Sequence, residues 1–268
     1  MEGFFLYRKS WRFDGAPHEE PQLQEYEWKS LLKQSGILVR NTFDFDGPAE
    51  THFWYVIKDG FDDLEMLSSN TRRKVRRSLE QLEFNQIDIG MLRNEGYNIL
   101  KATFDDHAVD DRLLTRKTYR DYLDLCEKRT YDYWGIFDRD NGILVGFCTV
   151  WLWHDACEIG KIAVMPAYKR QSSAYPYYGL FYSLCQHYLQ RVGYHYITDG
   201  SRSITEHSHI HDFLIQNFNF RKAFCQLEVH YCWWMKIAVN LLYPFRKIIP
   251  LQRVKAILNM EAMQRGEK

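Results

Sequence analysis

Between Glu158 and Arg191 the chain sets down an apolar strand, a polar loop and an amphipathic helix in direct succession. That order, more than any other feature, limits what the chain can fold into. The strand is read over Glu158–Val164 and is ended by Pro166. The helix opens at Pro176, a residue suited to a first helical turn, and buries a stripe of Tyr177, Leu180, Phe181, Leu184 and Tyr188. Ahead of it lies a hairpin of Tyr131–Asp138 and Ile143–Trp153, rich in aromatic and β-branched residues, with Asn141-Gly142 as its turn. Behind it come a strand at Tyr194–Thr198, a helix and a last strand ending near Tyr231. Strands joined by hairpins and interleaved with single helices predict an α+β fold, with a mixed and mostly antiparallel central sheet flanked by helices.

The flanking sequence adds elements on both sides. Strands are expected at Phe4–Phe13, Ile37–Phe43 and His52–Ile57, with a short helix over Glu19–Lys33. Phe61–Leu82 reads as a helix, with Leu64, Leu67, Val75, Leu79 and Leu82 at near-helical spacing and a restart at Thr71 capped by Ser68, Ser69 or Asn70. A strand over Gln86–Met91 and helices over Asn94–Phe104 and Thr118–Lys128 follow. Three segments are expected: an extension over 1–83, a main domain over 84–232 and an amphipathic helical tail over 233–268.

Charge excludes little, because Lys+Arg and Asp+Glu both number 35 in the 268 residues; steering of a charged partner has to come from a local patch. One such patch is plain. Arg72, Arg73, Lys74, Arg76 and Arg77 stand in the helix before Leu82, with Arg72/Arg76 and Arg73/Arg77 each sharing a face. Two readings are open: a solvated face balanced by Glu80 and Glu83, or a site where Arg73 and Arg77 fork onto phosphate oxygens. The six cysteines are scattered and sit in apolar runs, which points to free thiols and a cytoplasmic protein. The start of the chain carries no signal-length apolar stretch, and no apolar run reaches membrane-spanning length.

Four polar groups are candidates for chemistry. Glu158 heads an otherwise apolar strand, where burial would raise its pKa toward a useful range for a base; it reads equally as a strand-end residue paired with Lys161 or Arg170. Alternation puts Lys161 on the opposite side of the strand. The loop Tyr168–Tyr175 carries Lys169, Arg170, Gln171, Ser172 and Ser173 up to a helix amino terminus, a place suited to anions. In Asp199-Gly200-Ser201-Arg202, Asp199 suits an amine and Arg202 a carboxylate or phosphate, against the alternative of a simple Asp-Gly turn. His207, His209 and His211 form the fourth, read as a polar helix start, as substrate contacts (His207) and a catalytic group (His209), or as metal ligands; no metal is expected.

The order of elements from about residue 84 to 231 resembles the GNAT superfamily of N-acyltransferases. Val164-Met165-Pro166 and Tyr168-Lys169-Arg170 match the start of its donor loop, and Glu158 stands where several members carry a general base. The resemblance implies an acyl-CoA donor such as acetyl-CoA, held by Val164 and the Lys169–Ser173 loop, and a small-molecule or peptide amine acceptor near Ser201, Arg202 and His207. The chain departs from the pattern: no glycines stand near Ser173 and Tyr175, Gly179 comes a turn later, the closing Gly-Phe is Asn219-Phe220, and Ile215 replaces a tyrosine. Residues 53–82 are similar to FemAB-type proteins, which implies an aminoacyl-tRNA donor and possible tRNA contact. The expected activity is therefore transfer of an acyl or aminoacyl group to an amine; the alternative is a GNAT-fold binding module without catalysis. From Lys236 to Met260 the tail carries five basic residues and no acidic one among large apolar ones, and is expected either to pack as a helix pair split by Pro244 and Pro250 or to lie on an anionic membrane.

Overall fold

The structure, a computed structural model, describes residues 3–7, 9–106, 115–170, 173–204 and 209–267. The chain divides into two compact units, one of 1–56, 200–212 and 221–268, the other of 57–199 and 213–220. Their boundaries cut across the segments expected at 83 and 232. The reason is long-range pairing, since β3 (Leu38–Phe43) and β10 (Arg221–Tyr231) pair antiparallel from Leu38↔Tyr231 to Phe43↔Gln226 and so bind the two ends of the chain together.

In the first unit the strand order is β1 (Phe4–Tyr7), β2 (Ser10–Phe13), β3, β10 and β4 (Phe53–Lys58, as far as Val56). The single strand expected over Phe4–Phe13 is instead a hairpin, reversed around Lys9 with its φ of 68°. Helix α1 (Glu25–Gln34) begins six residues later than expected, where Gln24 and Glu27 cap each other's backbone. Helices α9 (Trp233–Leu242) and α10 (Gln252–Gln264) pack against β10 and each other, giving the helix pair that the two prolines suggested.

The second unit holds β9 (Tyr196–Ser201, as far as Asp199), β8 (Ala156–Val164), β7 (Leu144–Leu152), β6 (Tyr131–Asp138) and β5 (Leu82–Gln86) in that order. All neighbours are antiparallel except β8 and β9. Helix α2 (Ser69–Gln81) is capped by Ser68, whose hydroxyl accepts from the Thr71 amide, and Leu64–Met66 forms only a separate turn. The helix stops at Leu82 because the next five residues join the sheet edge against Trp134–Asp138. The strand expected over Gln86–Met91 is thus displaced, and Ile89–Met91 forms the short helix α3. Helix α4 (Tyr97–Asp106) follows a wider π turn at Leu92–Gly96, and α5 (Arg116–Glu127) is capped reciprocally by Thr115 and Thr118.

These helices cover the two faces of the sheet. Leu100, Tyr119 and Leu123 of α4 and α5 pack with Phe147 and Ala163 on one face. Helix α7 (Pro176–Cys185) takes the other, where the Tyr188 hydroxyl accepts from the Trp134 indole at 2.9 Å and donates to Asp132 at 2.7 Å. Of the predicted α7 stripe, Leu180, Phe181, Leu184 and Tyr188 are buried, while Tyr177 is half-buried beneath the Lys169 ammonium. All six cysteines are free, and five are buried, with burial pushing the Cys126 thiol up to about 11.

Candidate functional site

Strands β8 and β9 are parallel neighbours joined by α6 (Pro166–Arg170) and α7. Such a crossover brings the helix amino terminus to the carboxyl ends of the strands, the usual side for ligands. The two strands pair only at Ala156↔Tyr196, Cys157↔Ile197 and Glu158↔Thr198, although β8 continues to Val164. Beyond Glu158 the sheet therefore splits.

Register decides which way the candidate acids point. Glu158 is in register with Trp151 and Thr198, so Asp199, one residue on, faces the other side of the sheet. Trp151, Thr149 and Phe147 share one face of β7, and Phe147 packs with α4 and α5. Glu158 thus lies on the α4/α5 face and Asp199 on the α7 face, on either side of the split. Lys161 departs from the expected alternation. Between Cys148↔Ile162 and Val150↔Ile159 the β8 strand carries one residue too many, a bulge at Gly160-Lys161. The Lys161 amide donates to Thr149 Oγ1 at 3.0 Å, and its ammonium lies 4.8 Å over the Tyr122 ring, whose hydroxyl meets the same Thr149 oxygen at 2.7 Å. The bulge turns Lys161 onto the face of Glu158. Gly160 is needed there, since a Cβ would sit 2.7 Å from Thr149 Oγ1 and 3.0 Å from its carbonyl oxygen.

The loop read over Tyr168–Tyr175 is shorter than expected, because Pro166–Arg170 is helical. Val164 is buried at the end of β8, its carbonyl accepting from Thr103 at 3.0 Å, and Lys169 covers Tyr177 at 5.7 Å. Arg170 is the last residue of α6, and Gln171 and Ser172 lie outside the described residues. Ser173 is exposed, and its hydroxyl accepts from Arg77 at 3.4 Å. Tyr175 is the residue before α7, with φ 48° and ψ 52°, the left-handed region in which glycine is at ease.

Facing this loop is α2. Ser69, Arg72, Arg73, Arg76, Arg77 and Glu80 line, with Ser173 and Tyr175, one concavity of about 670 Å³. Between them, Lys74 donates to the Tyr178 hydroxyl at 2.9 Å, and both Tyr178 and Thr71 donate to the side-chain oxygen of Asn217, at 3.3 and 3.1 Å. This network ties α2 to α7 and α8 (His209–Phe218). The helices come close because Gly179 has no side chain; a Cβ there would meet Phe84 Cζ and Ser78 Oγ, each at 2.4 Å. The arginine charge is only partly met. Glu65 takes Arg72 and Arg76, the latter at 2.7 Å, and Glu80 stands 3.8 Å from Arg77. Arg73 makes no ion pair among the described residues; its guanidinium bonds Asn70 at 3.3 Å and lies 6.0 Å over the Tyr175 ring. Glu83 bonds Asn85 instead of balancing the helix. Such exposed pairs are weak.

Of the remaining candidates, Ser201, Arg202, His209 and His211 belong to the first unit, and Asp199 and Asn219 to the second. Asp199-Gly200 is not a turn; β9 runs through it to Ser201, with Gly200 at φ 83°. The Arg202 amide donates to the Trp54 carbonyl at 2.8 Å and its guanidinium to the His52 carbonyl at 2.7 Å, burial lowering its pKa. Ser201 is half-buried, His209 is exposed at the start of α8, and His211 is buried against the Trp54 ring. His207 lies outside the described residues. Among the described residues no three His, Cys, Asp or Glu side chains gather as metal ligands would. Asn219, at φ 54°, takes the left-handed position after α8 that a glycine commonly fills, and its amide donates to Asp62 at 2.9 Å.

The sequence marked the arginines and Ser173 separately, but neither their meeting nor Tyr175 beside them. Tyr175 carried no signal, since an aromatic residue before proline suggests extended backbone. Arg72 and Arg76 were visible in the same run as Arg73 and Arg77 and line the same concavity.

No protein-family model matches this sequence, and no curated protein does. Solved structures are more informative. The chain is similar to the C-terminal domain of a putative lysylphosphatidylglycerol synthetase from Agrobacterium fabrum, at TM-score 0.53 and 13% identity, over 89% of this chain and 84% of that one. It is also similar to L-PGS from Bacillus licheniformis, at TM-score 0.51 and 11% identity over 91% and 84% of the two chains. FemX matches at TM-score 0.51 and 10% identity over 76% of this chain and 68% of its own. At these identities the likeness is one of fold, and it agrees with the mixed, mostly antiparallel sheet flanked by helices that the sequence predicts.

Proposed function

We propose that this chain is an acyltransferase, moving an acyl or aminoacyl group from a phosphate-bearing donor to an amine. The observation that carries the reading is the concavity where four arginines of α2 converge on Ser173 and the start of α7. Guanidinium forks and free helix-end amides both suit phosphate oxygens. The split between β8 and β9 opens toward the carboxyl ends of the strands, from which the chain leads on to α7, and so offers a place for an acyl group and an amine to meet. Attack by the amine forms a C–N bond and breaks the C–S or C–O bond of the donor; the amine proton passes to a carboxylate, and the leaving thiolate or alkoxide is protonated. Asp199 shares the face of α7 and is the first choice for that carboxylate, with Glu158 across the split the second. Among proteins of this fold, the synthetase named above makes, by its name, an aminoacyl product. That supports an aminoacyl donor alongside acyl-CoA.

The test is binding. The full chain is melted with CoA, acetyl-CoA and longer acyl-CoAs, and titrated separately with aminoacyl-tRNA at two salt concentrations. A ligand of the folded state raises the melting temperature, and a tRNA contact weakens with salt at a slope of about 0.7 per neutralised phosphate. Arg73→Glu with Arg77→Glu should lower the affinity about tenfold or more. Unchanged affinity for every phosphate-bearing candidate retires the proposal. For turnover, Asp199→Asn or Glu158→Gln should cost about a hundredfold or more; full activity in both refutes the choice of base. Binding without turnover by either donor class assigns the concavity to a ligand-binding module.

A further inference from the structure

Helix α9 has two apolar faces, and only one of them is used. Met235, Val239 and Tyr243 turn inward and pack with Leu258 and Ala262 of α10. Trp233, Trp234, Ile237 and Leu241 recur at helical spacing on the outside, where Trp233 is 76% and Leu241 67% exposed. The turn into α10 continues the surface with Phe245 and with Ile248, which is 77% exposed. A run of apolar side chains this open marks an interaction surface.

From Lys236 to Lys255 the charges along the chain have one sign, while Glu228 lines a cleft with Lys236 and Glu267 meets Arg246. Lys236, Lys247, Arg253 and Lys255 are exposed and make no ion pair among the described residues. Arg246 is the exception, held by Glu267 at 2.7 Å and lying over the Tyr243 ring. The first acidic residue after Trp233 is Glu261, which is buried and bonded to Arg265 at 2.8 Å. Two copies of this face would set cation against cation. Exposed tryptophans flanked by lysines and arginines suit instead the boundary between headgroups and acyl chains.

We propose that the outer face of α9, with the turn leading into α10, docks on an anionic lipid surface. Docking needs neither the arginine concavity nor acyl transfer, so it stands or falls separately from the proposed activity. No helix among the described residues is long and apolar enough to cross a membrane; contact is made by lying along the surface, with the apolar side chains inserted and the lysines and arginines level with the headgroups.

Flotation of the full chain tests this, using vesicles of phosphatidylcholine alone and of phosphatidylcholine mixed with phosphatidylglycerol. The expected result is recovery with the mixed vesicles only, falling about tenfold or more in the triple variant Trp233→Ser, Ile237→Ser, Leu241→Ser. Lys247→Glu with Arg253→Glu should lose the preference for anionic vesicles. The replaced residues are exposed, so the melting temperature of each variant should match the parent and certify folding. Absence of the parent from the mixed vesicles overturns the proposal, as does equal flotation of the triple variant. Flotation lost instead in Arg73→Glu with Arg77→Glu, and kept in the triple variant, places the lipid at the concavity. A dimer that dissociates in the triple variant, without flotation of the parent, gives the face to a second copy.

Discussion

Replacing Gly179 by alanine should loosen the wall that holds the arginine concavity. The added Cβ would stand 2.4 Å from Phe84 Cζ, 2.5 Å from Phe84 Cε2 and 2.4 Å from Ser78 Oγ, against the 3.4 Å at which ordinary contact begins. Relief needs a movement of about 1 Å, the difference between those distances. Ser78 is fully buried on α2, which leaves α7 or the Phe84 ring to give way. Forcing a methyl into a packed interior costs about 1–3 kcal/mol. Alanine returns about 1 kcal/mol as the better helix former; with three atoms inside 3.0 Å of the new Cβ the overlap cost stands at the upper end of its range, and the net loss should be about 2 kcal/mol. Urea unfolding reads this as a lower midpoint at unchanged slope, and Phe84→Leu in the same chain should restore part of it through coupling of about 0.5 kcal/mol or more. Gly60→Ala, with nothing within 4 Å of its Cβ, is the control and should be neutral. A Gly179→Ala protein as stable as the parent would refute the close-packing argument and remove the reason for the position of α7 against α2.

Two further outcomes follow from groups away from the concavity. Lys58 is buried and held by Asp62 at 2.6 Å, so Asp62→Ala should cost about 3–5 kcal/mol in urea unfolding by stranding an ammonium; Lys58→Met in the same chain should recover much of that. The Tyr168 hydroxyl donates to Asp138 and holds that carboxyl below its ordinary pKa, so its stabilising effect is present above the ordinary carboxylate range and lost as pH falls through the lowered value. Tyr168→Phe should therefore be less stable than the parent near neutral pH, with the gap closing as pH falls below the ordinary carboxylate range and through the lowered value; a gap that persists after Asp138 is protonated contradicts the linkage.

Elements whose signal is local were legible in the sequence. The β6–β7 hairpin follows from alternation and Asn141-Gly142, and β8 and α7 follow from Pro166 and Pro176 at their boundaries. What escaped depends on partners distant in the chain. Leu82 fits a helical stripe as well as a strand, and pairing with Asp138 of β6 decides the matter. The bulge at Gly160-Lys161 is invisible until Thr149 is placed opposite it. The same holds for the site. Arg73 and Arg77 were readable because they stand in one run on one helix, whereas the second wall rests on a left-handed Tyr175 and on a glycine whose use is apparent only beside Phe84 and Ser78.

The early end of pairing between β8 and β9 has a consequence for selectivity. A strand released from its neighbour offers a ladder of amides and carbonyls that are the same whatever side chains surround them. An extended guest carrying its own amide can be gripped there as a borrowed strand, by contacts indifferent to what the guest bears beyond that amide. Under the proposed acyl transfer, discrimination among acyl groups would fall to the few side chains at the mouth of the split, with Glu158 and Asp199 on its two sides. On that proposal, substitutions there should retune which group is carried without rebuilding the grip that carries it.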